Sequence, residues 1–146
     1  MLLEGAASRL DDTAVVAWLR LARVFAKVER RAVEQVRPYG LSYGQFDVLA
    51  HVGSAAGITQ QALANALLVT KGNVCQLLDK LEAAGLLERR PEGRTNRLFL
   101  THKGRELYAS VVPEHEDTIA EQMAVLDEDE QRQLLRLLRK LDHALT

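Results

Sequence analysis

The chain has 146 residues, 47% hydrophobic and 27% charged, with a net charge of −1, so it is long enough for one domain with its own core and too apolar for general disorder. No apolar run approaches the roughly 18 residues of a membrane span, and a lone cysteine, Cys75, excludes an intramolecular disulfide or a multi-cysteine zinc cage. We therefore expect a small cytoplasmic protein, without metal or cofactor, whose Leu-, Ala-, Arg-, Glu- and Gln-rich composition favours helices.

The first predicted elements are two helices. Thr13 to Val36 contains no proline or glycine and repeats apolar residues at helical spacing, and Pro38 and Gly40 end this helix. The second helix is predicted over residues 43–52 and is expected to bury one apolar face. The residues on that face are Phe46, Val48, Leu49 and Val52.

The start of the second helix carries a strong local signal. Ser42 is predicted to cap the helix, Gln45 stands three residues later, and Leu41 and Phe46 occupy the two staple positions.

Two short helices joined by a tight turn come next. Thr59 is predicted to cap a helix that ends near Leu67, and Thr70 is predicted to cap a helix that continues to Ala84 and stops at Gly85. So short a joint between two helices is typical of a helix-turn-helix.

A β-hairpin and two further helices complete the predicted order. Residues 86–90 and 97–100 are expected to form strands joined by a turn over residues 91–96, which makes a small wing. Thr101 should cap the next helix, which Pro113 is expected to interrupt or restart. Asp127 and Glu130 form a second capping box before a Leu-rich helix that runs to Leu145.

The second helix of the helix-turn-helix, residues 70–84, separates into two faces on a helical wheel. The apolar face, expected to lie in the core, consists of Val74, Leu77, Leu78 and Leu81. The opposite, exposed face consists of Gly72, Asn73, Gln76, Asp79 and Lys80.

The exposed face suits the major groove of DNA. Gln and Asn side chains can bond an adenine edge with two hydrogen bonds, and a lysine can reach a phosphate or a guanine. Gly72 would let the backbone come close to DNA, and Thr70 with the free amides of the first turn could bind a phosphate. An ordinary amphipathic helix facing water is the simpler alternative. The tight turn before the helix and the hairpin after it favour DNA binding.

Charge is segregated along the chain in agreement with this hypothesis. Residues 1–70 carry a net charge of +1, residues 71–105 carry +4 and residues 106–146 carry −6. A basic middle segment is typical of a polyanion site. A solvated surface would explain this distribution of charge equally well.

The segment from Leu41 to Leu107 resembles the MarR (multiple antibiotic resistance regulator) family of winged-helix transcription factors. The pieces are short, but their order and spacing together are specific. They are Leu41-Ser-x-x-Gln-Phe-x-Val-Leu49, Thr59-Gln-x-x-Leu-Ala64, Val69-Thr-Lys71, Leu78-Asp-Lys-Leu-Glu-x-x-Gly-Leu-Leu-Glu-Arg-Arg90, Asn96-Arg97 and Leu100-Thr-x-x-Gly-Arg-Glu-Leu107. Where the family usually has Asp-x-Arg in its wing, this chain has Glu92-Gly-Arg94.

The resemblance implies a mainly α fold with a small β-wing (α+β). It places a winged helix-turn-helix DNA-binding domain at residues 41–107, and dimerisation helices at residues 1–40 and 108–146. The implied molecule is a homodimer that binds a pseudo-palindromic operator on double-stranded DNA, with residues 70–84 in the major groove and the wing in the minor groove. The residues expected to contact DNA are Thr59, Gln60, Thr70, Lys71, Gly72, Asn73, Gln76, Lys80, Arg89, Arg90, Arg94 and Arg97.

The resemblance also implies repression that is released by a small aromatic or phenolic anion. Such an effector would enter a cleft between the dimerisation helices and the winged domain. The residues that could line this cleft are Trp18, Arg20, Arg23, Phe46, Asp47 and His51. Asp47 stands out, because a carboxylate on a largely apolar helix needs a partner.

Three other functions stay open at this point. The chain could be a winged-helix module that binds protein through its acidic C-terminal segment, or a redox-responsive regulator that acts through Cys75. An enzyme is the weak alternative, because the sequence shows no phosphate-binding loop, nucleophile elbow or metal-ligand motif. Glu114-His-Glu-Asp117 could hold a metal but is better explained as a solvated helical segment.

Overall fold

The computed structural model of the protein describes residues 9–67 and 73–145. These residues form six α-helices and three β-strands. In chain order they are α1 (Thr13–Val36), α2 (Tyr43–Ser54), β1 (Ile58–Thr59), α3 (Gln60–Ala66), α4 (Val74–Ala83), β2 (Leu87–Glu92), β3 (Thr95–Leu100), α5 (His102–Met123) and α6 (Glu128–Ala144). The predicted fold class, mainly α with a small β-wing, is confirmed.

Side-chain caps fix the starts of α2, α3 and α6, as the sequence predicts. The Ser42 hydroxyl accepts from the Gln45 amide, and the Gln45 side chain accepts from the Ser42 amide. Asp127 and Glu130 make the same reciprocal pair at α6. Thr59 caps α3. Each cap satisfies backbone amides that the first turn of a helix leaves without partners, so these boundaries follow from local chemistry.

The end of α4 is equally local. The Leu86 amide donates to the Leu81 carbonyl and the Gly85 amide to the Glu82 carbonyl, which together form a Schellman motif. Gly85 has a φ of +74°, a conformation that glycine adopts without a steric penalty. The predicted stop at Gly85 is confirmed.

The three strands form an antiparallel sheet in the order β1–β3–β2. We call the β2–β3 hairpin the wing. The predicted turn over residues 91–96 is wrong, because Pro91 pairs with Asn96 and Glu92 with Thr95. Only residues 93 and 94 form the loop. Gly93 has a φ of +62°, which the first loop position of a type II′ turn requires. The wing strands are therefore longer than expected.

Strand β1 was not predicted. Ile58 pairs with Leu98 and Thr59 with Arg97 in β3. Two residues are too few to show the alternation of apolar and polar side chains that indicates a strand in a sequence. Only the long-range pairing with β3 reveals this strand. It joins the start of α3 to the base of the wing.

Helix α5 runs without interruption through Pro113, so the predicted break there is wrong. Pro113 cannot donate to the carbonyl of Ala109, but both residues are exposed, and water can bond that carbonyl. The preceding residues Val111 and Val112 are buried. Their packing against the core stabilises the buried face of α5, opposite the face that carries Pro113.

The core lies where α2, α4, the sheet and the middle of α5 meet. Its fully buried members include Val48, Leu49, Leu63, Leu78 and Leu98. The face predicted for α2 is buried throughout. None of the helices in residues 9–67 and 73–145 combines the length and the hydropathy of a membrane span.

The first half of α1 and all of α6 lie outside this core. No residue of α6, which is described over its whole length, is buried. In α1 only Ala32 and Val36 are buried. The large apolar side chains that remain exposed on these two helices and next to them are Leu10, Val16, Trp18, Leu19, Leu21, Val24, Phe25, Val125, Leu135, Leu137, Leu141 and Leu145.

Candidate nucleic-acid interface

Helix α4 presents the two faces that the sequence predicts. Val74, Leu78 and Leu81 are buried, and Leu77 is half-buried against the core. The residues on the opposite face, Asn73, Gln76, Asp79 and Lys80, are exposed. The polar face is therefore free to meet a large partner.

The start of α4 differs from the prediction. The helix begins at Val74, and Asn73 is its N-cap residue, with non-helical backbone angles and no side-chain cap bond. The prediction that Asn73 lies within the helix is therefore wrong. Asn73 is a weak helix former, which explains why it lies outside the helix. Thr70, Lys71 and Gly72, all expected to contact DNA, lie outside the described residues.

Helix α3 is linked to α4 through a pair of side chains. Gln60 is the first residue of α3, and its Nε2 donates to Cys75 Sγ at 3.2 Å. Thr59 is occupied by the cap, since its Oγ1 accepts from the Ala62 amide. The thiol of Cys75 is free and exposed.

A groove of about 970 Å³ lies between α3, the start of α4 and the tip of the wing. We call it the α4 groove. Its described lining consists of Gln60, Gln61, Ala64, Asn73, Val74, Cys75, Gln76, Arg94, Thr95 and Asn96. Four of the predicted DNA contacts, Gln60, Asn73, Gln76 and Arg94, thus share one concave surface. The sequence interpretation missed Gln61 and Asn96, although each neighbours a predicted contact.

The groove is chemically suited to DNA because amide side chains dominate its polar lining. Amides can donate and accept at once, as base edges require. Arg94 adds one cation at the wing tip. Within the described part of the chain, Arg94 has no hydrogen-bond or ion-pair partner, so its guanidinium is available.

The other predicted arginine contacts are engaged within the protomer. Arg89 pairs with Asp79 at 2.8 Å. Arg90 pairs with Glu88 and lies 4.1 Å above the Phe99 ring.

Arg97 forms an ion pair with Glu92 and donates to the Gly57 carbonyl at 2.8 Å. The Arg97 side chain is still 42% exposed, so part of it can reach a phosphate. Lys80 lines a separate cavity of about 490 Å³ with Lys103, between α2, α4 and α5. The structure therefore does not bring Lys80 into the α4 groove.

The six residues predicted for an effector site occupy two places. Trp18 is 63% exposed on α1, and Arg20 and Arg23 line a small cavity of about 200 Å³ on the same helix. Phe46 and Asp47 are buried on α2. A single protomer does not unite the two groups.

Asp47 has the partner that its burial requires. It is 5% exposed, and His51 Nδ1 lies 3.1 Å from its Oδ1 and 2.8 Å from its backbone oxygen. Both oxygens accept, so Nδ1 carries the proton.

An aromatic cluster missed by the sequence interpretation adjoins this pair. The His115 ring on α5 lies 4.7 Å from the Phe46 ring, which stacks on Tyr43 at 5.9 Å. His115 Nδ1 also lies 3.2 Å from Gln35 Oε1 on α1. Burial lowers the pKa of His115, with Glu116 and Asp47 opposing the shift. The spacing of His115 from buried Val111 could have indicated that it faces inward.

The acidic stretch around His115 does not form a metal site. Residues 114–117 lie inside α5. Across residues 9–67 and 73–145, no group of three or more His, Cys, Asp and Glu side chains could hold a metal ion.

Comparisons with known proteins agree with this geometry. The sequence model of the MarR family matches residues 39–97. An HTH-type transcriptional regulator of Bacillus cereus is 31% identical over 128 residues, which cover 85% of each chain. The HTH-type transcriptional regulator PecS of Dickeya dadantii is 32% identical over 131 residues, 86% of this chain and 79% of PecS.

A solved structure supports the same assignment. A MarR-family regulator from Listeria monocytogenes, crystallised with a 26-mer DNA, is 25% identical, has a TM-score of 0.78 and covers 87% of both chains. These relatives are transcriptional regulators and not enzymes. The chain therefore belongs to the MarR family of transcriptional regulators.

Proposed function

We propose that this regulator acts as a homodimer that reads a pseudo-palindromic operator with α4 of each protomer and represses transcription. The observation that carries the proposal is the α4 groove, which gathers amide side chains from α3, α4 and the wing beside Arg94, a cation without a partner among residues 9–67 and 73–145. Amides suit base edges, whereas the arginine suits a phosphate or the minor groove. The DNA in the Listeria relative's crystal supports the same partner.

The dimer is supported by apolar surface that one protomer leaves uncovered. Phe25 on α1 is 47% exposed, Leu141 on α6 is 53% exposed, and α6 buries no residue within the protomer. Exposed apolar faces of this extent mark interaction sites. A second copy of the chain offers the same two faces, so a two-fold axis can cover both at once.

A two-fold dimer explains why the operator is expected to be pseudo-palindromic. The axis relates the two α4 helices, and each would enter the major groove at one half-site. Half-sites in such complexes lie about one helical turn of DNA apart, or a multiple of it.

An effector is expected to act where the helical region meets the winged domain. The support is that one chain carries two separate groups of candidate effector contacts. One group is Asp47 and His51 on α2, and the other is Trp18 with two arginines on the exposed face of α1. A small aromatic anion suits arginine and aromatic partners. Because one protomer separates the two groups, we expect the second copy to contribute to the complete site.

The test starts from DNA that the protein itself selects. Duplexes are enriched from a randomised library with the full-length chain, sequenced, and compared with scrambled controls in fluorescence anisotropy. The proposal predicts inverted half-sites, a clear preference over the scrambled duplex, and two protomers per duplex. Enrichment of no sequence, or one protomer per duplex, would contradict it and would favour the protein-binding alternative.

A further inference from the structure

An acidic residue stands on the face of α4 that is proposed to meet DNA. The Asp79 side chain is 66% exposed, and it lies three residues after Gln76. A free carboxylate at this place would repel phosphates. Its surroundings show that the carboxylate is not free.

Arg89 neutralises Asp79 from the wing. Its Nη2 donates to Asp79 Oδ1 at 2.8 Å and lies 3.4 Å from the Cys75 carbonyl. These two acceptors are four residues apart, so they lie one above the other on α4. One nitrogen of the guanidinium therefore contacts both the Asp79 side chain and the backbone of the preceding turn of α4.

Arg89 is itself held firmly. It pairs with Leu98 of β3, which is fully buried, so the hairpin fixes its backbone. Its side chain is only 23% exposed. Its Nε is buried without a partner within residues 9–67 and 73–145. An arginine with this little exposure is badly placed to reach a phosphate but well placed to join β2 to α4.

We propose that Asp79 and Arg89 are positioning residues, which hold α4 and the wing in one relative orientation so that Gln76 and Arg94 reach the same DNA together. The proposal rests on the proposed DNA-binding function and replaces the expected role of Arg89 as a DNA contact. Holding the two elements in the binding geometry before DNA arrives lowers the ordering cost of binding.

The two roles for Arg89 predict opposite results. If Arg89 binds a phosphate, its loss lowers the salt slope by about 0.9 for each phosphate contact, and loss of the Asp79 charge strengthens binding. If the pair positions α4, removing either partner weakens binding to the selected duplex and leaves the salt slope unchanged.

The experiment is a double-mutant cycle with Asp79→Asn and Arg89→Gln in the full-length protein. Binding to the selected and scrambled duplexes is measured across a salt series. Each single variant should weaken selected-duplex binding about three- to tenfold, and the double variant should be no weaker than either. Glu82→Gln, which removes an exposed acid three residues further along α4, is the matched control and should not weaken binding.

A second cycle separates positioning from loss of stability. In the wild type, Gln76→Ala and Arg94→Ala should be coupled, because both contacts depend on one orientation, and in Asp79→Asn this coupling should disappear. Variants are compared below their unfolding temperatures. Stronger binding by Asp79→Asn, additive effects of the first cycle, or a lower salt slope for Arg89→Gln would overturn the proposal. A wild type that does not distinguish the two duplexes would overturn the proposed function as well.

Discussion

Truncation of Leu141 to alanine tests the dimer quantitatively. The substitution removes three carbon atoms, worth about 0.8 kcal/mol each when fully buried. Because Leu141 is 53% exposed in the protomer, about half of that free energy, roughly 1.3 kcal/mol, is available to a dimer interface. Because both protomers of a two-fold dimer carry the substitution, the total loss is about 2.5 kcal/mol. This corresponds to a roughly 60-fold higher dimer dissociation constant.

The assay is analytical ultracentrifugation of fluorescently labelled protein over a dilution series. Lys140→Ala, the exposed neighbour on α6, is the control and should leave the dissociation constant unchanged. Leu141 is not buried within the protomer, so the helical content of the dissociated variant should stay that of the wild type. Equal dissociation constants for Leu141→Ala and wild type, or a wild type that sediments as a monomer, would refute the reasoning.

Three further predictions concern stability and redox chemistry. Gly104→Ala would place a Cβ 2.0 Å from the Leu86 carbonyl oxygen, a backbone atom, so urea unfolding should show a loss of at least about 2 kcal/mol; an unchanged midpoint would contradict this packing. Burial lowers the pKa of folded His115 below its ordinary 6.5, so the unfolded chain protonates first and stability should fall as the pH drops below 6.5. His115→Gln should reduce that loss of stability, and the control His102→Gln should not. Equal pH profiles of stability for His115→Gln and the wild type would contradict this role of His115. Cys75→Ser should bind the selected duplex like the wild type, and peroxide should affect neither, whereas peroxide release of only the wild type would favour redox control.

The parts of the fold that the sequence predicts are those fixed by local contacts. The Ser42–Gln45 box and the Schellman motif at Gly85 are made by residues at most five apart, so their residue types suffice to identify them. The two faces of α4 follow from helical periodicity alone. The wing hairpin also follows from residue types, and the resemblance to the MarR family added its expected place in the minor groove of DNA.

Several of the differences depend on pairing between strands or on packing between elements. Pairing of Glu92 with Thr95 shortened the wing turn, and pairing with β3 made Ile58 part of a strand. The DNA contact expected of Arg89 stays a prediction, but its ion pair with Asp79, which crosses from β2 to α4, could not be predicted from the sequence. Similarly, His115 meets Phe46 only after α5 packs on α2. A sequence shows the charge and the spacing of its residues, but it does not show which of them come into contact.

The most direct test of the central claim compares Gln76→Ala with Arg94→Ala on the selected and scrambled duplexes across a salt series. Loss of a base contact by Gln76 should cost about 1–3 kcal/mol on the selected duplex only. Loss of Arg94 should weaken both duplexes and lower the salt slope by about 0.9 for each phosphate contact. If neither substitution changes either affinity, the α4 groove is not the surface that binds DNA.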